Sequence, residues 1–326
     1  MTGRTVAKEG AAPLRAPRLN GRLTIAGAAA CAFAALVLVL ALTTHRFLTW
    51  QNIKAILSSA SLVGIEALGL TFVTMVGGVV SLAVAEVAVV TAMAFLAMLG
   101  AGLVPALAIA MALGAAVSGI QGFAIGAWNA NPVMFTISAA FLIDGVGQGL
   151  NNGQIVQPAA GGYGTLNATP LGVPVAVYVL VGLALALQFV TRRTVLGRQI
   201  MLVGENRPAA RAAGLPITRV VTLAFAIAGI AFGIGGAFLG SFNAGASVLS
   251  EGTITFDAIA AVLVGGTSIT GGHGSPLRTL AGSLAIAAIT DVLLLRGFST
   301  GPQVLLKGML VVVVVVVTQA RSRGRR

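Results

Sequence analysis

The chain has 326 residues, of which 57% are hydrophobic and only 9% are charged, and its mean hydropathy is +0.99. A soluble chain needs charge at roughly a quarter of its positions, so composition excludes a water-soluble globular protein and puts most of the surface in lipid. The net charge is +12, from 20 Lys and Arg against 8 Asp and Glu. The bases gather at the ends of long apolar runs, as in cytoplasmic loops, and not as in a groove for nucleic acid.

A polar tail, 1–22, precedes an apolar run from Leu23 to Leu42. That run is too long for a signal-peptide core and reads as a retained span, 23–43. Cys31, inside it, has neither a disulfide partner nor metal-ligand spacing, and reads as a small apolar side chain. Nine further spans follow at 53–76, 80–99, 102–126, 132–150, 173–190, 219–241, 255–270, 276–295 and 300–318. Each approaches the length of about 20 residues that crosses a hydrocarbon core of roughly 30 Å. The span at 255–270 is short, and glycine and polar residues interrupt 132–150, so these two read as re-entrant or broken. The expected fold is all-α, a polytopic transmembrane bundle of about ten spans.

With the N-terminus inside, sixteen Lys and Arg fall on cytoplasmic segments and three, Arg46, Lys54 and Arg296, fall outside. The positive-inside rule therefore places both termini in the cytoplasm. Two loops are long. The outer one, 151–173, is rich in Gly, Pro and Asn. The inner one, 191–218, carries Arg192, Arg193, Arg198, Arg207 and Arg211, with Arg219 at its edge. Within it, Pro208-Ala-Ala-Arg-Ala-Ala reads as a short helix with Pro in its first turn, ended by Gly214 and Pro216. The pairs Gly77-Gly78 and Gly265-Gly266 each follow an apolar run ending in Val. They mark either an internal repeat of interrupted helices or close packing through small residues.

No catalytic constellation stands out. His45 and His273 are loop residues without a nucleophile at a telling spacing. The run Gly265-Gly-Thr-Ser-Ile-Thr-Gly-Gly-His-Gly274 lacks the Gly-Lys-Ser/Thr ending of a phosphate loop, so ATP hydrolysis is expected in another chain. No cofactor or metal is expected. Among the acids within spans, Glu86, Asp144 and Asp257 stand equally as lining of a polar path or as structural partners, whereas Glu66 and Asp291 read as structural. Lys307, early in the last span, reads as snorkelling to the outer interface. A secondary transporter, a channel or a membrane enzyme would also be polytopic. The first would need an ion site, and the last a reactive cluster.

Three blocks resemble the permease subunits of ribose/xylose-type ABC sugar importers, within the branched-chain amino-acid permease superfamily. They are Phe256-Asp-Ala-Ile-Ala-Ala-Val-Leu-Val-Gly-Gly-Thr-Ser-Ile-Thr-Gly-Gly-His-Gly-Ser275, the stretch from Thr194 to Gly214, and Asn131-Pro-Val-Met-Phe-Thr136. Gln303-Val-Leu-Leu-Lys-Gly308 also fits. One block departs: where the family reads Gly-Gly-Ile-Asp-Leu-Ser-Val-Gly, this chain reads Gly77-Gly-Val-Val-Ser-Leu-Ala-Val-Ala-Glu86, with Ser81 in place of the Asp. The resemblance implies a bacterial inner-membrane importer of a monosaccharide or similar solute. Its partners would be ABC ATPase subunits, an extracytoplasmic substrate-binding protein and a second permease chain, identical or homologous. On that reading 23–319 is the permease domain, 191–218 its coupling loop and 320–326 a basic tail. Gly77, Gly78, Ser81, Glu86, Asp144 and Asp257 line or support the path. Gly204, Glu205, Asn206, Arg207, Ala209, Ala210, Arg211 and Gly214 couple to the ATPase.

Overall fold

The computed structural model describes residues 43–44, 47–77, 80–247 and 253–323, with the side chains of the last helix described as far as Val314. The N-terminal tail, nearly all of the span expected at 23–43, Cys31, His45, Gly78, Arg325 and Arg326 lie outside the described residues.

Eleven α-helices make up the described chain: α1 Trp50–Gly77, α2 Val84–Met98, α3 Leu103–Trp128, α4 Pro132–Asn151, α5 Val175–Arg193, α6 Val195–Glu205, α7 Arg207–Ala212, α8 Ile217–Asn243, α9 Ile254–Val264, α10 Pro276–Leu295 and α11 Thr300–Arg323. Among the described residues the one β-type pairing is an isolated bridge between Val156 and Ala246. Among the described residues seven helical segments are long and apolar enough to cross a membrane; Ile254–Val264 is a shorter apolar helix, and α11 is apolar over the part whose side chains are described, Thr300–Val314.

The expected spans from 53–76 onward each coincide with a helix, with two corrections. The segment 132–150 is neither re-entrant nor broken: α4 is continuous, begun by Asn131, whose Oδ1 accepts from Val133 N, and by Pro132 at the first helical position. The segment 255–270 is helical only to Val264. Eleven residues rise about 16 Å, roughly half a hydrocarbon core.

Helices α1 and α8 lie together at the centre, and the packing around them is reciprocal. Helix α2 packs on α8 and α3, and α9 on α1 and α10, while α3 packs on α8 and α10 on α1. The triplets α1–α2–α3 and α8–α9–α10 therefore occupy matching roles. In each, a long helix is followed by an irregular stretch and a shorter helix. This is the interrupted-helix arrangement common in transporters. The two Val-Gly-Gly runs do not mark it, because Gly77 ends the first helix of one triplet and Gly265 caps the second helix of the other.

Glycine sets the closest approach. Helices in lipid gain little from apolar burial against each other and instead bring backbones together through small residues. A Cβ on Gly114 of α3 would run into the Gly229 carbonyl of α8, and one on Gly229 into the Gly114 carbonyl. On the other side of α8, a Cβ on Gly236 would run into the Ala88 carbonyl of α2. Replacing Gly114 with Val should thus force α3 and α8 apart and destabilise the purified chain by roughly 1–3 kcal/mol. Thermal unfolding in detergent reads this, and an unchanged melting temperature would show that the two backbones do not pack this closely.

Candidate functional site: the broken helices and a buried ion pair

A helix that begins inside a bundle leaves amides without partners, and in lipid these must be satisfied by protein. Residues 80–83, ahead of α2, are irregular. Three hydroxyls serve this start. The Leu82 amide donates to Thr136 Oγ1 of α4 at 3.2 Å. The Ala83 amide donates to Ser81 Oγ at 3.3 Å. The Ala85 amide donates to Thr255 Oγ1 of α9 at 3.0 Å. Ser81, Thr136 and Thr255 are all buried. The first turns of the two shorter helices thus meet, and Thr136, the last residue of the Asn131–Thr136 block, ties α4 to the break.

Helix α9 starts beside them. Asp257 N donates to the Thr253 carbonyl, and Thr253 Oγ1 donates to Asp257 Oδ2 at 2.9 Å. Asp257 is 8% exposed, and Lys307 of α11, also 8% exposed, meets it. The Lys307 ammonium lies 2.8 Å from Asp257 Oδ1 and donates to Oδ2 at 3.0 Å. The expectation that Lys307 snorkels outward is therefore corrected. A carboxylate was already buried within reach, and pairing removes the cost of two isolated charges.

From the sequence Glu66 reads as structural and not as part of a site. It is 3% exposed in the middle of α1 and sits against Gly235 of α8, whose missing Cβ makes room for the carboxyl. Glu66 and Asp257 line one open cavity of about 230 Å³ bounded by α1, α8, α9 and α10. A lone acid inside an apolar span is the available sequence signal for such a site.

Of the other expected path residues, Glu86 is half-buried in the first turn of α2, where a negative charge suits the helix start. Gly77 is the half-buried last residue of α1. Asp144 belongs to a different surface. It is half-buried on α4 and accepts from Gln148 Nε2, one turn on, at 3.2 Å through both oxygens. Among the described residues no group of three or more His, Cys, Asp and Glu is arranged to hold a metal ion.

The inner loop forms α6 and α7. Asn206 caps α7, its Oδ1 accepting from Ala209 N at 3.0 Å, and Pro208 lies in the first turn. At the far end Leu215 N donates to the Ala210 carbonyl and Gly214 N to the Arg211 carbonyl, with Gly214 at φ +78°. This is the glycine-terminated closure expected from Gly214 and Pro216. Ala209, Arg211 and Ala212 are exposed, but Ala210 is 5% exposed and faces the chain's own core. Ala210 is thus a packing residue of this chain. Arg207 is half-buried. Its Nη1 donates to Asn129 Oδ1 at 3.4 Å, while Nε and Nη2 find no hydrogen-bond partner among the described residues. Burial, and then the Arg211 charge, lowers its pKa from the usual value.

Gly204 fixes α6 to the rest. A Cβ there would run into the Met75 carbonyl of α1. The same carbonyl accepts from Gly272 N at 2.9 Å, and a Cβ on Gly272 would meet Glu205 at 2.9 Å. The glycine-rich loop thus holds α1 and α6 together. At its start it also ends α9, where Gly266 N donates to the Leu263 carbonyl and Thr267 N to the Val262 carbonyl, with Gly266 at φ +75°.

Removing one member of the buried pair should cost more than removing both. Lys307→Met alone leaves Asp257 buried without a counter-charge, a loss of about 3–5 kcal/mol. The Asp257→Asn/Lys307→Met double variant should recover much of this in thermal unfolding. A double variant no more stable than Lys307→Met would show that the two side chains are not coupled.

The family described as branched-chain amino acid transport system / permease component matches residues 52–317. The chain is 38% identical over 164 residues to the probable ABC transporter permease protein YphD of Escherichia coli (strain K12), a match spanning 48% of each chain. It is 28% identical over 297 residues to the L-arabinose ABC transporter permease protein AraH of Azospirillum brasilense, covering 90% of this chain and 87% of that one. It is 29% identical over 291 residues to the ribose import permease protein RbsC of Bacillus subtilis (strain 168), covering 88% and 90%. No solved structure matches. The chain belongs to the branched-chain amino acid transport system / permease component family, as a multi-pass membrane permease component and not an enzyme.

Proposed function

We propose that this chain is the membrane-spanning subunit of an ATP-driven importer that carries a monosaccharide or a similar small polar solute across a bacterial inner membrane. The observation that carries the reading is the near full-length similarity to permeases named for L-arabinose and ribose. The solute arrives from an extracytoplasmic binding protein, and ATP is hydrolysed by separate ATPase subunits. Two copies of the chain, or this chain and a homologue, enclose the path.

The geometry supports such a path. Ser81, Glu86 and Asp257 gather at the paired helix starts, where interrupted helices of transporters hold their polar groups. On α4, Ser138, Gly145 and Gln148 are exposed beside half-buried Asp144. Asp144 is twelve residues into a twenty-residue helix, so it sits at hydrocarbon depth, where a carboxylate needs a partner chain or water. Helix α4 thus lines the path opposite the second permease chain.

The topology is ten spans with both termini inside. It takes seven described spans, α9 together with the stretch to residue 270 as one crossing, α11 and the run at 23–43. A reporter fused at Thr165 should read outside and one at Arg326 inside. A fusion at Arg326 reading outside would make the number of crossings odd.

Helix α7 and Gly204–Gly214 form the ATPase contact. The exposed methyls of Ala209 and Ala212 fit a groove, and Arg207 and Arg211 share a face toward acidic groups of the partner. Ala209→Trp should preserve membrane levels but abolish ATPase co-purification and uptake. Ala210→Trp, directed into the chain's own core, should instead reduce the level of the chain itself. Full transport by Ala209→Trp would remove α7 from the contact.

A further inference from the structure

The cavity bounded by Glu66 and Asp257 is poorly suited to a sugar. Its walls are mainly Leu62, Val63, Leu239, Ile254, Ile286 and Ala287. A monosaccharide carries several hydroxyls, each of which needs a partner when buried. Among the described residues only Ser59, Glu66, Thr290 and Asp257 provide polar groups here. Thr290 already donates to the Ile286 carbonyl at 2.9 Å, and Asp257 already meets Lys307 and Thr253.

That leaves Glu66. It is 3% exposed, and its Oε2 has no hydrogen-bond partner among the described residues. Among those residues no cation lies within ion-pair distance of it, and Lys307 is engaged with Asp257. An uncompensated carboxylate in a low-dielectric setting costs several kcal/mol. The site accordingly combines a buried acid without a counter-charge, apolar walls, room for a small molecule and a mouth at exposed Ser59.

We propose that this cavity binds a small organic ammonium ion. The ammonium group would meet Glu66 and the hydrocarbon part would lie against Leu62, Leu239 and Ile286. Gly235 is required because any larger residue there would displace the carboxyl. A ligand seated here would bridge the two central helices to α9 and α10, and so bear on the paired helix starts from inside one chain. The carboxylate supplies charge recognition, and the walls reject hydrated inorganic ions, for which they provide too few oxygens.

The test uses the full chain carrying Cys31→Ser and Ser59→Cys, in nanodiscs of phosphatidylglycerol, so that the lipid brings no amine. The thiol introduced at position 59 is labelled with trimethylammonium-ethyl methanethiosulfonate and, separately, with its anionic sulfonatoethyl counterpart, and the two rates are compared. Glu66→Gln should lower the cationic-to-anionic rate ratio by on the order of tenfold. n-Butylammonium should slow labelling saturably, and n-butanol should not. Ala287→Leu, which fills the cavity and keeps Glu66, should abolish that protection, and it serves as a second variant should Glu66→Gln fail to fold. A ratio unchanged by Glu66→Gln would overturn the proposal. So would protection by butanol equal to that by butylammonium, or protection that survives Ala287→Leu.

Discussion

The start of α2 needs hydrogen-bond acceptors in a place that water does not reach, and much of the architecture answers that need. An amide left unsatisfied at membrane depth costs several kcal/mol. Three buried hydroxyls, Ser81, Thr136 and Thr255, take up the amides of Leu82, Ala83 and Ala85. They come from the break itself, from α4 and from α9. Satisfying one short stretch of backbone therefore fixes two other helices against it. The Thr255 bond also sets the two shorter helices end against end, so that neither triplet completes its centre without the other. The Ser81 hydroxyl takes up the Ala83 amide without needing a charge at that position.

Motion imposed at α6 and α7 has a defined route to this centre. The end of α6 is held against α1 at Met75 and against the glycine-rich loop at Gly272. That loop continues directly from α9, whose first turn carries Thr255 and Asp257, while α1 carries Glu66. One carbonyl thus joins α6 to α1 and, through the glycine-rich loop, to α9, two of the four helices that bound the cavity. Glycine is required at Gly204 and Gly272 because the backbones touch. Gly266 is required for another reason, since the left-handed turn that ends α9 strains any side chain. The resemblance of Gly265–Gly274 to a phosphate loop comes from the same property, backbone freedom, used here for contact between helices.

What could be read from the sequence followed from how strongly one physical rule dominates each feature. Spans were legible because hydrocarbon thickness demands a length of apolar run, and the expected segments from 53–76 to 300–318 fall on α1–α5 and α8–α11. The cap and stop of α7 were legible because Pro208 and Gly214 act locally. The apparent interruption of 132–150 misled, because Gly145, Gln148 and Gly149 are exposed on an intact α4. Small and polar residues there mark a surface and not a break. The Val-Gly-Gly repetition misled for a related reason: Gly77 ends the long helix of one triplet with open space beside it, whereas Gly265 caps the short helix of the other and packs on α10, and composition does not distinguish these uses. Ala210 belonged with its neighbours by composition, but a helix of six residues shows one side to the core, and only packing decides which.

The partner of Lys307 was beyond sequence reading because fifty residues and a turn of the chain separate it from Asp257. A basic residue near the end of an apolar span can reach water or a buried acid, and sequence alone permits both. The pair alters the reading of the neighbouring acid. Once Lys307 is committed to Asp257, no cation among the described residues is left within reach of Glu66, although both carboxylates border the same cavity. The two acids therefore differ in kind. Asp257 belongs to a closed unit with Thr253 and Lys307 that anchors α11 to α9. Glu66 is held in place by packing against Gly235 and has electrostatic need to spare, which makes it, and not the paired acid, the group around which a ligand would be recognised.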